Sequence, residues 1–189
     1  MIKRQEAIEK IANLIDNNTK VVSSLGRISR DLNHYVGQSN RSNCFFCMGS
    51  MGSTLPVALG ISLSVKNKRF YAIEGDGSLI MNLGSLLTFK RYNPNNLTLL
   101  ILDNKQYETT GGQKSQPEDF ELYDLIQTTG LRCALVLNTI DLEHTLKRNQ
   151  IEGVFDVIII TSSIDGICPR IDQSPASIAN SFKNNLTNN

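Results

Sequence analysis

Residues 72–104 read AIEGDGSLIMNLGSLLTFKRYNPNNLTLLILDN. An apolar run ends in a carboxylate, Asp76, held between Gly75 and Gly77, and the next apolar run closes on Asp103-Asn104. Leu97 to Leu102 is apolar at every position but Thr98, the pattern of a strand covered on both faces rather than one face of a solvated sheet. The 28 positions from Asp76 to Asn104 suit one helix and a returning parallel strand. The expected order is therefore a strand over 70–73, a tight Gly-Asp-Gly turn, a helix over 82–92 and a strand over 97–102.

The same alternation extends in both directions. Ile8, Ile11, Leu14 and Ile15 recur at helical spacing, predicting a helix over 4–15. A short strand over 21–25 ends at Gly26, and Ser29 is placed to cap the helix after it. CFFCM (44–48) reads as a second strand, and LPVALGISLSV (55–65) as a helix with Pro56 in its first turn. Beyond residue 104 follow a helix over 118–129, a strand over 133–137, a helix over 141–149 and a strand over 154–161. A closing helix starts at Pro175 and ends in a frayed polar tail, NNLTNN (184–189). Strands alternating with helices define an α/β fold: a mostly parallel sheet with helices on both faces. The 189 residues suit a single domain, 1–189, with a sizeable core.

Charge and composition narrow the function. The formal net charge is +1, with no basic block, so nothing favours nucleic acid or an acidic membrane. No run approaches bilayer length, and Glu6 and Glu9 interrupt the opening stretch, so neither a membrane span nor a signal peptide is expected and the chain reads as cytoplasmic. Cys44 and Cys47 form a C-x-x-C without a second pair or a nearby His. In a strand, positions three apart face opposite ways, so these thiols read as small core hydrophobes. His34 and His144 stand alone and read as surface or capping residues.

The unusual residues gather at the carboxyl ends of the strands, where open parallel sheets bind ligands: Gly26, then Gly49-Ser50-Met51-Gly52, then Gly75-Asp76-Gly77-Ser78, then Asp103-Asn104. Glycines there let the backbone approach an anion closely. A lone carboxylate in that setting suits a Mg2+ ion, which takes one or two carboxylates and completes its six oxygens with phosphates. Asn104, at the neighbouring strand end, is a sensible second ligand. The chemistry expected is one metal and one diphosphate held between two adjacent strand ends.

Gly75-Asp76-Gly77, a span of twenty-odd residues and Asp103-Asn104 together resemble the motif of the thiamine-diphosphate enzymes, with Asp103 where the family usually has its first asparagine. The resemblance implies thiamine diphosphate and Mg2+ as cofactors. The metal would be held by Asp76, Asn104 and the carbonyl of Gln106, with Gly75, Gly77, Ser78 and Tyr107 around the diphosphate. GSMGSTLPVALGISL (49–63) is similar to the family's other signature. It implies that the Gly49 carbonyl accepts a hydrogen bond from the aminopyrimidine, that Ser50 lies beside it, and that Met51 is the apolar wedge that bends the cofactor. DNKQYETTGGQKS (103–115), LGRISRDL (25–32) and CPRIDQSPASI (168–178) resemble the sulfopyruvate and phosphonopyruvate decarboxylase group.

Family members also need a pyrimidine-binding domain, whose glutamate activates the cofactor. The chain has length only for the diphosphate-binding half, so the resemblance implies the β subunit of a hetero-oligomeric 2-oxo acid decarboxylase. A pyrimidine-binding α subunit would carry the catalytic Glu; Glu74 and Glu108 belong to the diphosphate half and are not assigned that role. The implied substrate is a small 2-oxo acid ending in a sulfonate or phosphonate, for which Arg27, Arg30 and Lys114 are candidate contacts. Two other readings stand beside it: another split thiamine enzyme, such as an acetolactate-synthase-like or 2-oxoacid oxidoreductase subunit, and a non-catalytic cofactor-binding module. The oxidoreductase is disfavoured because no cysteine cluster is available for iron–sulfur.

Overall fold

The computed structural model describes residues 1–187. In chain order the elements are β1 (Ile2–Lys3), α1 (Arg4–Ala12), β2 (Thr19–Ser23), α2 (Arg27–Tyr35), a 3-10 turn (Gln38–Asn43), β3 (Cys44–Phe46), α3 (Thr54–Ser64) and β4 (Arg69–Gly75). Then come α4 (Asp76–Ile80), α5 (Gly84–Tyr92), β5 (Leu97–Asp103), β6 (Gln106–Tyr107), β7 (Gln113–Lys114), α6 (Leu122–Thr128), β8 (Cys133–Val136), α7 (Thr139–Glu152), β9 (Val157–Ser163) and α8 (Pro175–Thr187). Seven strands form one parallel sheet in the order β1-β9-β5-β4-β2-β3. β8 lies on the same edge of β9 as β1, pairing with its first half while β1 pairs with its end. β6 and β7 form a separate antiparallel ribbon.

β5 shows why the run LTLLILD becomes a central strand: all seven residues are buried, Leu100 and Leu102 on one face and Leu97, Leu99 and Ile101 on the other. The first face packs against Ile8 and Ile11 of α1, Leu32 of α2, Leu142 and Leu146 of α7, and Ile178 of α8. The second packs against Leu55 and Leu59 of α3, Leu86 and Phe89 of α5, and Leu122 and Ile126 of α6. Cys44 belongs to the first cluster and Cys47 to the second, as their spacing requires. Burial pushes their thiols up to about 12 and about 11, which makes both poor nucleophiles. His34 and His144 are exposed.

Several boundaries differ from expectation. The Gly-Asp-Gly segment is no tight turn: Gly75 ends β4 in an extended conformation and Asp76 opens α4 directly. The helix after β2 begins at Arg27, with Gly26 (φ +73°) at its cap position. Ser29 lies inside it, its hydroxyl donating to the Gly26 carbonyl at 3.2 Å. The expected helix over 118–129 starts only at Leu122, because Pro117 directs residues 117–120 into a turn first. The tail expected over 184–189 is helical as far as Thr187; residues 188–189 lie outside the described part. The β6–β7 ribbon was not expected.

The topology positions the site. From β2 the chain moves outward to β3 through α2 on one face; it returns to β4 through α3 on the other face and continues to β5 on that face. The segments leaving β2 and β4, which are neighbours in the sheet, therefore diverge and open a crevice between them at their carboxyl ends.

Candidate active site

That crevice is lined by Ser24 to Ile28 after β2, Met51 before α3, Gly75 to Ser78 after β4, and Asn104 and Gln106 to Thr109 after β5. Arg4, Leu102 and Ser162 complete the lining. Of the sequence candidates, Met51, Gly75, Asp76, Gly77, Ser78, Asn104, Gln106 and Tyr107 thus share one cleft. Gly49 and Ser50 lie outside its lining, in an exposed turn that Ser50 enters with φ +62°.

Asp76 is buried, and burial is the main cause that pushes its carboxyl up to about 6. The neighbouring Asp103 charge adds to the rise, while the Ser115 hydroxyl and the Gly77 and Asn104 amides oppose it. Ser115 donates to Asp76 Oδ2. Asp103 Oδ1 accepts from the Lys105 amide and from Gln116 Nε2, both at 3.1 Å. Asn104 Oδ1 accepts from the Gln106 amide at 3.1 Å. Consecutive side-chain-to-backbone turns therefore aim residues 103–106, with Lys105 left-handed at φ +58°. At 103 only an acceptor oxygen is used, a role that aspartate and asparagine fill equally.

Asp76, the Asn104 amide and the Gln106 carbonyl bring to this one cleft hard oxygen donors of the kind Mg2+ takes. Such a set needs no cluster of His, Cys, Asp and Glu, and among the described residues there is none. A buried carboxylate at a strand end beside an amide oxygen on the neighbouring strand end is the donor chemistry that fits the ion.

Gly77 owes its identity to close approach rather than to φ. A Cβ there would lie 2.5 Å from Cε1 of the Tyr107 ring, which the β6–β7 ribbon lays across α4. Ser78 joins two loops. Its hydroxyl donates to Glu74 Oε1 at 2.7 Å and accepts the Gly52 amide at 2.9 Å. Glu74 is fully buried beneath the cleft, and that burial pushes its carboxyl up. It lies outside the lining of the cleft.

Ser115, Gln116 and Arg4 were missed from sequence. The first two follow a ribbon too short to show periodicity. Arg4 sits in an ordinary amphipathic helix, yet it is buried: Nε donates to Asp31 Oδ2 at 2.7 Å, Nη1 to both Glu108 oxygens at 2.7 Å, and Nη2 to the Gly166 carbonyl at 2.8 Å. Arg27 joins the cluster through Glu108, whereas Arg30 lies outside the cleft and Lys114 pairs with Glu118 on the surface.

Comparisons with known proteins give the family and the fold. The profile of the thiamine pyrophosphate enzymes' C-terminal TPP binding domain matches residues 24–156. The sulfopyruvate decarboxylase subunit beta of Methanocaldococcus jannaschii is 33% identical over 182 residues, 95% of each chain. The protein of the same name from Methanothermobacter thermautotrophicus is 34% identical over 146 residues, 77% of this chain and 76% of that one. The phosphonopyruvate decarboxylase of Streptomyces viridochromogenes is 30% identical over 95% of this chain but only 45% of its own length. An X-ray structure described as that of a thiamin diphosphate-dependent enzyme from Mycobacterium smegmatis shares the fold, with a TM-score of 0.72 over 87% of this chain and 32% of that one, at 19% identity. The family profile over residues 24–156 and the match with the Methanocaldococcus jannaschii protein over 95% of each chain lead to one assignment: the chain belongs to the thiamine pyrophosphate enzymes, as a C-terminal TPP-binding domain of that family.

Proposed function

We propose that the chain is the β subunit of a Mg2+- and thiamine-diphosphate-dependent decarboxylase that releases carbon dioxide and an aldehyde from sulfopyruvate or phosphonopyruvate. The observation that carries this is the 33% identity with a sulfopyruvate decarboxylase subunit beta across 95% of both chains. Thiamine diphosphate, when bound, supplies the electron sink for the carbon–carbon cleavage. The chain's own residues bind and orient. Asp76, Asn104 and the Gln106 carbonyl hold the metal; Gly75, Gly77 and Ser78 let the backbone approach the diphosphate; and Tyr107 backs Gly77. Met51 fixes the bend of the cofactor, with the Gly49 carbonyl and Ser50 completing that loop. The Glu74–Ser78–Gly52 chain of hydrogen bonds ties the Met51 loop to the diphosphate strand end.

The pyrimidine side of the cofactor, and the glutamate that activates it, belong to a partner α subunit. Met51, in the cleft lining, is 40% exposed, and Met48, three positions before it in the chain, is 49% exposed; apolar side chains left open there suit a subunit contact. No helix among the described residues is long and apolar enough to cross a membrane, and a cytoplasmic location accompanies this reading. The test is carbon dioxide release from both acids by the chain co-purified with its native partner and by the chain alone. Release by the complex only is expected. Robust release by the highly purified single chain would remove the need for an α subunit, and no release from either acid by the complex would overturn the substrate class.

A further inference from the structure

Resting on the decarboxylase reading just given, we infer that Arg27 is the receptor for the terminal sulfonate or phosphonate of the substrate, held in place for that task by Glu108 and the buried Arg4. Arg27 opens α2 on the β2 flank of the cleft, while Asp76, Asn104 and Gln106 lie at the ends of β4 and β5. The metal and diphosphate are thereby provided for without Arg27. Its Nη1 donates to Glu108 Oε1 at 2.7 Å, and among the described residues its Nε and Nη2 donors meet no acceptor. A guanidinium with one edge anchored and the other open to a cleft is built to take a planar pair of oxyanion oxygens.

The anchoring is unusually complete. Burial rises along the series, Arg27 being 21% exposed, Glu108 9% and Arg4 3%. Arg4 in turn is clamped by Asp31, Asp165 and the Gly166 carbonyl. A surface arginine would lose side-chain entropy on gripping an anion, whereas this one is already ordered. Asp31 and Asp165 neutralise Arg4 from outside the cleft lining, so Arg4 serves to hold Glu108 and adds no free positive charge. What the β2 flank offers an anion is the open donor edge of Arg27, and the other lining carboxylate, Asp76, is the one assigned to the metal.

The experiment uses the complex with its partner subunit, comparing wild type with Arg27→Gln and Arg27→Lys. Two quantities are read: the ratio of kcat/KM for sulfopyruvate and phosphonopyruvate to that for pyruvate, which lacks the terminal oxyanion, and the affinity for Mg2+–thiamine diphosphate by calorimetry. Arg27→Gln is expected to lower the ratio by about 10- to 100-fold, the loss of a charge-assisted pair. Arg27→Lys should recover part of it, and cofactor affinity should stay within about twofold of wild type. A tenfold loss of cofactor affinity would make Arg27 a diphosphate anchor, and an unchanged ratio would make it structural; either overturns the inference. If the wild-type complex decarboxylates neither acid, the enzymatic reading fails separately. Calorimetric binding of 3-sulfopropionate then decides Arg27 alone: binding weakened by Arg27→Gln supports the receptor, and equal or absent binding in the wild type and the variant refutes it.

Discussion

Gly77→Ala isolates the part played by close approach at the cleft. Gly77 lies in α4 with an ordinary helical φ, so the methyl group alone would favour the helix by about 0.5–1 kcal/mol. That gain is opposed by the Tyr107 ring, whose Cε1, Cδ1 and Cζ atoms would lie 2.5, 2.8 and 3.2 Å from the new Cβ. The ring must retreat by roughly 1 Å to reach an ordinary carbon–carbon contact of about 3.5 Å. Overpacking of this kind costs about 1–3 kcal/mol, which leaves a net destabilisation of about 1 kcal/mol. The effect on the site should be larger, because Tyr107 adjoins Gln106, whose amide donates to Asn104 Oδ1. We expect Mg2+–thiamine diphosphate affinity to fall at least about tenfold, the equivalent of 1.4 kcal/mol. Calorimetric titration and urea denaturation of Gly77→Ala, Tyr107→Ala and the double variant form a cycle in which the ring's removal relieves the clash. A coupling of at least about 1 kcal/mol is expected for residues in contact. Unchanged affinity and stability in Gly77→Ala, or strict additivity, would refute the reasoning.

Other predictions concern the metal, the buried arginine and the wedge. Asp76→Ala should abolish Mg2+-dependent cofactor binding without lowering the melting temperature of the cofactor-free protein; retained affinity in calorimetry would contradict the assigned ligand. Because the folded-state carboxyl of Asp76 is raised to about 6, the fold binds its proton more tightly than the unfolded chain does. Its ionisation thus costs stability as pH rises from about 4 through about 6, and Mg2+ must displace the proton below that value. Cofactor affinity should accordingly decline below pH about 6 and level off above it, and a flat profile between pH 5 and 7 would argue against this. Arg4→Met strands the fully buried Asp31 beside Glu108, and a loss of about 3–5 kcal/mol in urea denaturation is expected; less than about 1 would show the cluster to be dispensable. Met51→Ala, at a 40% exposed side chain, should change stability by under about 1 kcal/mol while lowering turnover far more than cofactor affinity; normal turnover would remove the wedge role.

The parts of the molecule that were legible in the sequence are those where many residues repeat one message. In LTLLILD every position is apolar but Thr98 and Asp103, and the strand, its central place and its two covered faces all follow. Asp76 and Asn104 could be placed at adjacent strand ends because the helix-and-strand spacing admits little else. Gly77 was noticed for a turn it does not make: sequence shows that a Cβ is missing, but only the fold shows the Tyr107 ring filling its place. Ser115 and Gln116 reach Asp76 and Asp103 across a ribbon of two-residue strands, too short for any periodic signal. Arg4 was illegible for a different reason. Its partners come from residues 31, 108, 165 and 166, and no local pattern encodes a contact between segments that distant.

The long reach of Arg4 also bears on the order in which the molecule can assemble. Its guanidinium is neutralised and fully hydrogen-bonded only when the segment that begins α1 meets residues 165–166 beyond β9, and β1 finds its partners only at Ser162 and Ser163. Closing so large a loop is entropically slow and brings no reward until both ends are in place. The β2–β4–β5 centre of the sheet can pair earlier, but the partners of Arg4 are not complete before the last strand is docked. Completion of the Arg4–Glu108–Arg27 flank and docking of the last strand therefore go together. A ribosome-bound chain lacking β9 would have its sheet centre available to pair while Arg4 still lacked Asp165 and Gly166.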